Sequence, residues 1–409
     1  MGDPITLGPP DDVDAHNVDD GHSSSEGKAL MNLRRIGLVV IVSSATMFAA
    51  CVPETPDATT RVSPADGTGY VSPVLSGDGA VVLYRREVDL HAGLDSPRDL
   101  VVSQVDTRAT DVIPGVRGIR SMSHDGRFVV HGYSATWRLD TTTGDEQLLR
   151  SGPGNSLGAV AISEDGSTVA WTAVHYVAGN CPCELRLHVW RDGAVVLDQL
   201  LEAGYTISIA DQFRDDFLAM HASGSEVYLH RVATRNLVRV QVATGVSSTV
   251  ALQLPPVPDL WPFPDLRSFL FWSEWVDFGS ADGEQFRFRQ GGTTYLVSED
   301  AAPRVIPASD TGETAALSPD ARWLARITSS PVRPGVELLT YVVTDLSSGV
   351  SRSIVASEAA TVAGNEPSRT FNGVPTVADG GSAAYGRWLP VLDQPWPPSV
   401  VHVVRAAPS

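Results

Sequence analysis

Positive charge is scarce in this sequence: 30 Lys and Arg stand against 48 Asp and Glu, a formal net charge of −18. Without a basic face nothing displaces counterions from a phosphate backbone, so nucleic acid is not an expected partner. Long apolar runs are lacking too, since the run from Ile36 to Ala50 falls short of the roughly 20 residues that a bilayer span needs. There is no Gly-rich phosphate loop, no His-Glu-x-x-His pair and hardly any stripe at i, i+3, i+4 spacing. Cysteine occurs only three times. What remains is 43% hydrophobic and 19% charged, with 36 Gly and 28 Pro, the composition of a globular chain rich in turns.

Residues 1–30 are polar, acidic and rich in Pro and Gly, with no period that could bury a face, and are expected to be disordered or untranslated. From Met31 the text changes to "MNLRRIGLVVIVSSATMFAAC", in which Arg34 and Arg35 precede an apolar run ending at Cys51. Residues 31–50 therefore read as a signal peptide. Ala49-Ala50-Cys51 resembles the lipobox of bacterial lipoproteins. That resemblance implies cleavage before Cys51, a diacylglycerol on its thiol and residues 51–58 as a linker. A cleaved secretory signal without lipid and an uncleaved anchor are the alternatives. All three place the folded part, residues 59–409, outside the cytoplasm, and the lipobox places it on the membrane of a bacterial envelope.

The folded part repeats. "SPVLSGDGAVVLYRR", "SMSHDGRFVVHGYS", "AVAISEDGSTVAWTA" and "TVADGGSAAYGRW" centre on Asp78, Asp125, Asp165 and Asp379. Weaker copies lie at Gly224, at Asp265 in "WPFPDLRSFLFWSE" and at Asp320 in "ETAALSPDARWLARITSS". A spacing of roughly 40 to 60 residues signals a propeller or a solenoid. Asp-Gly between apolar runs is a hairpin cue, because the turn needs positive φ and glycine supplies it without steric penalty. Further strand-like segments follow each copy, so each unit holds four strands, as a propeller blade does.

These repeats resemble the blades of TolB-type, WD-repeat-like β-propellers, in which Ser-Pro-Asp-Gly is followed by two variable residues, an aliphatic, a small residue and an aromatic. Tyr84, His131, Trp171, His230, Phe271, Arg326 and Tyr385 occupy the sixth position after the turn. The resemblance implies an all-β fold: a seven-bladed β-propeller of four-stranded antiparallel blades. The last copy has one strand too few and "TTRVSPADG", from residue 59, reads like an outer strand, so the N-terminal strand is expected to close the seventh blade.

Given that fold, the Asp-Gly turns make a plain face, and longer segments gather on the other. Segments 175–184, 274–292 and 387–398 are expected between second and third strands, and 205–216 and 254–264 between blades. They carry Trp261, Phe263, Trp275, Phe278, Trp388 and Trp396, rigid aromatic surface suited to binding peptides, glycans or apolar ligands, or to packing under the loops themselves. Cys181 and Cys183 form C-P-C, read as a disulfide in an oxidising compartment; His175, Cys181, Cys183 and His188 are an alternative zinc set, and free thiols a third reading. "GNSLG", residues 154–158, matches a nucleophile elbow as text, but it leads into a strand and Ser156 is not expected to be catalytic.

The expected function is a membrane-tethered, extracytoplasmic, non-catalytic binding or scaffold module for a protein or envelope ligand, monomeric and without cofactor. The alternative is a propeller enzyme of lactonase, lyase or glycosidase type, which would need polar residues converging at the channel mouth.

Overall fold

The structure, a computed structural model, describes residues 59–64, 69–87, 97–132, 135–150, 155–176, 183–205, 217–231, 236–252, 275–279, 282–290, 293–306, 315–333, 336–360, 371–388 and 399–405. Regular structure among them is entirely strand. After β1 (Thr59–Arg61), blade 1 holds β2 (Gly69–Leu75), β3 (Val81–Glu87), β4 (Arg98–Gln104) and β5 (Thr110–Val116). Blade 2 holds β6 (Ile119–Met122), β7 (Phe128–His131), β8 (Thr136–Asp140) and β9 (Glu146–Arg150). Blade 3 has β10 (Asn155–Ile162), β11 (Thr168–Tyr176), β12 (Cys183–Arg191) and β13 (Ala194–Tyr205). Blade 4 has β14 (Phe217–Met220), β15 (Glu226–Arg231), β16 (Asn236–Gln241) and β17 (Ser247–Val250). Blade 5 has β18 (Trp275–Gly279), β19 (Gln285–Gln290), β20 (Thr293–Ser298) and β21 (Arg304–Ile306). Blade 6 has β22 (Ala315–Leu317), β23 (Trp323–Arg333), β24 (Val336–Asp345) and β25 (Ser351–Ala360). Blade 7 has β26 (Phe371–Val377), β27 (Ala383–Trp388) and β28 (Ser399–Val404).

All seven sheets are four-stranded, and blade 7 completes its set with β1 in the order β1-β28-β27-β26. This is the seven-bladed propeller that the repeat implies. First strands of successive blades, such as β6 and β10, β10 and β14, and β22 and β26, touch one another around the axis.

Both faces of every blade are covered, which explains why the strands read as unbroken apolar runs such as "AVVLY" and do not alternate with polar residues. Val82 and Tyr84 turn toward blade 7 and pack with Ala384, Val401 and Val403. Val81 and Leu83, one residue out of phase, turn toward blade 2 and pack with Val129 and Leu139. The same sharing continues through Val130 with Trp171, Leu187 with Leu229, Tyr228 with Phe286, Leu296 with Leu324 and Tyr341 with Tyr385. Each fully buried Trp171, Tyr84, Tyr341 or Phe286 contributes about 1.5–3 kcal/mol.

Blade 5 departs from the sequence expectation. Segment 274–292 is not an insertion between second and third strands: it holds β18 and β19, joined by the turn at Asp282-Gly283. The copy expected at Asp265 lies outside the described residues, and Phe288 takes the place assigned to Phe271. A run such as "SFLFW" looks like strand by composition alone, and it drew the repeat out of register.

Closure proceeds through Thr59↔Val404, Thr60↔Val403 and Arg61↔His402. Beyond β1, the Val62 amide donates to Val401 O at 3.1 Å, Ser63 Oγ accepts the Val401 amide at 3.1 Å, and Val62 O accepts the Tyr84 hydroxyl at 3.1 Å. Deleting residues 59–63 removes this pairing and the burial of Val62 together. The thermal midpoint of the domain is expected to fall by about 5 °C or more. An unchanged calorimetric melt would show that β1 does not hold the ring.

Candidate functional site

The turn between first and second strands is built alike in four blades. Ser76 Oγ donates to Asp78 Oδ1 (2.6 Å) and accepts the Val81 amide (2.9 Å), while Asp78 Oδ1 accepts the Ala80 amide (2.9 Å). Ser123 with Asp125 and Ser163 with Asp165 repeat the arrangement at 2.7 Å each, and Ser318 with Asp320 makes it in blade 6. The serine two residues before the turn aspartate is the serine of the Ser-Pro-Asp-Gly motif, and here it is kept where the proline is replaced by Gly77, His124 or Glu164. In blades 1, 2 and 3 the glycine that follows serves two needs, while in blade 6 Ala321 takes the positive-φ place. Gly166 has φ +70°, and a Cβ on it would lie 2.2 Å from Phe128 of the preceding blade.

Blade 7 breaks the pattern by one residue. Its Ala378 amide bonds to Ser382 O, whereas Ser76 bonds to Val81, so the turn is shorter and the positive-φ residue is Gly381, not the Gly380 that the Asp-Gly pattern marks. Asp379 thereby leaves the capping position and enters the place held by Gly77, His124 and Glu164 in other blades. Around the axis, amides of one turn donate to the next: Asp379 to Gly77 O (2.9 Å), Asp78 to His124 O (3.2 Å), His124 to Glu164 O (3.0 Å) and Glu164 to Ala222 O (2.9 Å). Pro319 has no amide proton to give. In its stead Asp320 N–H donates to Asp379 Oδ1 at 2.8 Å.

The face expected to be plain therefore carries a chain of charge. His124 Nε2 meets Asp379 Oδ2 at 2.7 Å, linking blades 2 and 7 across blade 1, and His124 Nδ1 lies 3.6 Å from Glu164 Oε1. The bridge needs Gly77 beneath it, since a Cβ there would sit 2.3 Å from the imidazole. Partial burial opposes a charge on His124, but the hydrogen bond and field of Asp379, helped by Glu164 and Asp78, hold its pKa above the ordinary histidine value.

The aromatic candidates are distributed differently from the expectation. Trp275 and Phe278 belong to β18, where Trp275 pairs with Arg289, and Trp388 ends β27 opposite Ser399. They are strand residues, not loop residues. Trp261, Phe263 and Trp396 lie outside the described residues, as do Cys51 and Cys181; Cys183 opens β12, opposite Tyr176 and Tyr205. Ser156 lies within β10.

His175 and His188 do converge, Nε2 to Nε2 at 3.1 Å. Arg150 also donates to His175 Nε2, at 2.8 Å, so that nitrogen is an acceptor. Among the described residues no three His, Cys, Asp or Glu side chains gather as metal ligands. Burial, with Arg150 and His175 adding to it against Asp198, pushes His188 down to about 4.

His131 is also kept neutral. Its side chain is wholly buried, with Nδ1 accepting the Arg117 amide and Nε2 3.2 Å from Glu146. Burial, reinforced by the charge of Arg117, lowers its pKa to about 4 despite that carboxylate.

No family model and no curated protein matches the sequence. Among solved structures, the β-propeller domain of Myceliophteria thermophila Cps50 (Swd1) is similar over 85% of this chain and 100% of its own, at 11% identity and a TM-score of 0.47. The blade count given above rests on this chain's own strand pairing. Among the described residues no helix is long and apolar enough to cross a membrane.

Two outcomes follow from the turn and the histidines. Gly144 also has positive φ, +76°, but open space where a Cβ would go. Gly144→Ala is expected to cost about 1 kcal/mol and Gly166→Ala about 2–4 kcal/mol in denaturant melts, because only the second adds a collision, with Phe128 of the preceding blade. Equal losses would refute the packing role of Gly166. For His131, the unfolded chain binds a proton near pH 6.5 and the folded chain only near 4, so stability is complete above about 6.5 and falls as pH drops toward 4. The loss is expected to reach about 3 kcal/mol and to shrink in His131→Asn. A flat profile between pH 7.5 and 4 would contradict it.

Proposed function

We propose that this chain is an extracytoplasmic, lipid-tethered propeller of TolB-like type that acts as a non-catalytic binding or scaffold module for a protein or envelope component. The propeller architecture suits such a role in general, since rigid blades hold variable connections at their ends. One observation carries the non-catalytic reading: among the described residues, the turn serines and His124 that the repeat brings to the axis are consumed by the framework. Ser76, Ser123, Ser163 and Ser318 cap turns, and His124 is held by Asp379. An enzyme of this shape would leave such groups turned toward a substrate. Lipidation at Cys51 and recognition through Trp261, Phe263 and Trp396 complete the reading, supported by the lipobox-like Ala49-Ala50-Cys51 and by the aromatic, Pro-rich text of segments 253–274 and 389–398.

Expressed in a bacterial host, the wild-type chain is expected to carry a diacylglycerol thioether on Cys51, seen by mass spectrometry of its N-terminal peptide. It should enter the detergent phase on phase separation, and Cys51→Ser the aqueous phase. Crosslinked partners recovered from membranes should drop about tenfold in a Trp261→Ala/Trp396→Ala variant, in which no described strand is altered. An unmodified Cys51 removes the tether from the reading, and undiminished recovery removes the aromatic surface.

A further inference from the structure

The up-and-down order of the strands sorts the connections of every blade onto two faces. Turns between first and second strands share one face with turns between third and fourth, and hydrogen bonds join the two kinds. The Val105 amide donates to Ala80 O at 2.9 Å, Val242 to Ser225 O at 2.9 Å and Leu346 to Arg322 O at 2.8 Å. All of these turns are short, as Asp192-Gly193 between β12 and β13 shows. The longer connections join strand ends on the opposite face: 251–274 runs from β17 to β18, 361–370 from β25 to β26 and 389–398 from β27 to β28.

The register of β1 decides from which face the N-terminal segment departs. Thr59 pairs with Val404, and Val404 pairs on its other side with Ala383, which opens β27 directly after the Gly381 turn. Arg405, next after Val404, forms an ion pair with Asp106 in the β4–β5 turn of blade 1. Both observations put residue 59 at the turn face, on the outer strand of blade 7. Residues 52–58 are all that separates it from Cys51. Fully extended, that stretch reaches at most about 28 Å. The seven residues of β3 alone span about 23 Å from one face of a blade to the other. A tether that had to round blade 7 to bring the opposite face to a bilayer would use nearly all of its reach on the detour. Departure from the turn face needs no detour.

We infer that the propeller is held with its turn face and the rim of blade 7 toward the lipid surface, and with the face of long connections turned away from it. The inference rests on the tether at Cys51 proposed above, and it adds what each face meets. The short turns look onto the bilayer, whereas segments 253–274 and 389–398 join strand ends on the side that a partner approaches freely. It also gives the closing strand a second task, because β1 passes the pull of the tether through its pairing with β28 into the ring.

The experiment measures energy transfer to a headgroup-labelled acceptor lipid in preformed phosphatidylcholine vesicles, to which the full chain purified from bacterial membranes is added. Donor fluorophores are placed on the thiol of Ser348→Cys or of Ser330→Cys, each in a Cys181→Ser/Cys183→Ser background and each checked by its melt. Both positions are exposed and both belong to blade 6, but Ser348 lies in the β24–β25 turn and Ser330 lies seven residues along β23 from Trp323, about 23 Å from the turn face. Transfer from Ser348→Cys is expected to exceed that from Ser330→Cys by at least about twofold. The exposed Val332→Cys takes the place of Ser330→Cys should that variant fail to fold. With Cys51→Ser added, transfer should vanish at both positions. A chain that stays off the vesicles with Cys51 intact would remove the tether and this inference with it. A chain that binds through Cys51 yet transfers equally from both positions, or more from Ser330→Cys, would overturn the orientation alone, and so would transfer that persists in Cys51→Ser, which would show adsorption in place of tethering.

Discussion

Every blade of this protein has two oily faces, and only a neighbouring blade can cover each of them. Val81 and Leu83 look one way along the ring while Val82 and Tyr84 look the other. A linear stack would leave two faces bare at its ends, at a cost of several buried side chains each worth about 1.5–3 kcal/mol. The ring removes both ends at once, provided the last blade meets the first. The pairing of β1 with β28 is therefore part of the core, and not an ornament of the terminus. It ties residue 59 to residue 404 in one sheet, a contact between nearly opposite ends of the described chain.

Near the axis a second constraint takes over, since seven turns crowd together and each brings amides, carbonyls and a polar loop residue. Burying such groups without partners costs about 1–3 kcal/mol apiece. Serine and aspartate of the turn satisfy the local amides, and the relay between turns satisfies the rest. Blades 6 and 7 show how tightly the parts are matched. Pro319 removes one donor from the relay, and the shorter turn of blade 7 moves Asp379 to where its carboxylate accepts the next available amide, from Asp320. The other oxygen of that carboxylate is then free to hold His124, two blades away.

Much of this was legible in the sequence, for a physical reason: a tight turn between strands tolerates few residue types, so Asp-Gly recurs in blades 1, 2, 3 and 5 and a close variant stands in the others. Blade number, strand composition and closure followed from that repetition. Failures came where composition imitates structure or where partners are distant. The apolar text before Trp275 looked like a hairpin and displaced blade 5, although Asp282-Gly283 carried the correct cue ten residues further on. The one-residue contraction in blade 7 was hidden because Gly380 and Gly381 are adjacent and either could be the turn glycine. Nothing local announces that His124 meets Asp379, 255 residues away, or that His175 is held by Arg150. The aromatic segments were legible as composition only, and half of their tryptophans and phenylalanines proved to be strand residues.

A repeat built this uniformly gives a way to look for function, because a position that all blades fill alike is doing the ring's work. Arginines cross to the next blade's turn in blades 2, 3 and 6, but from different places in the blade: Arg138 and Arg191 from third strands, Arg352 from a fourth. Blade 4 has Arg239 where blade 2 has Arg138, two residues before the strand ends, but the space is taken by Tyr228, whose hydroxyl needs Glu226 for a partner. Simple decay of the repeat would leave a collapsed or merely weakened seam. Instead the junction of blades 4 and 5 is filled by a packed aromatic pair, Tyr228 on Phe286. The ring thus tolerates more than one way of joining neighbouring blades, an arginine on a turn carbonyl at some junctions and an aromatic pair at this one.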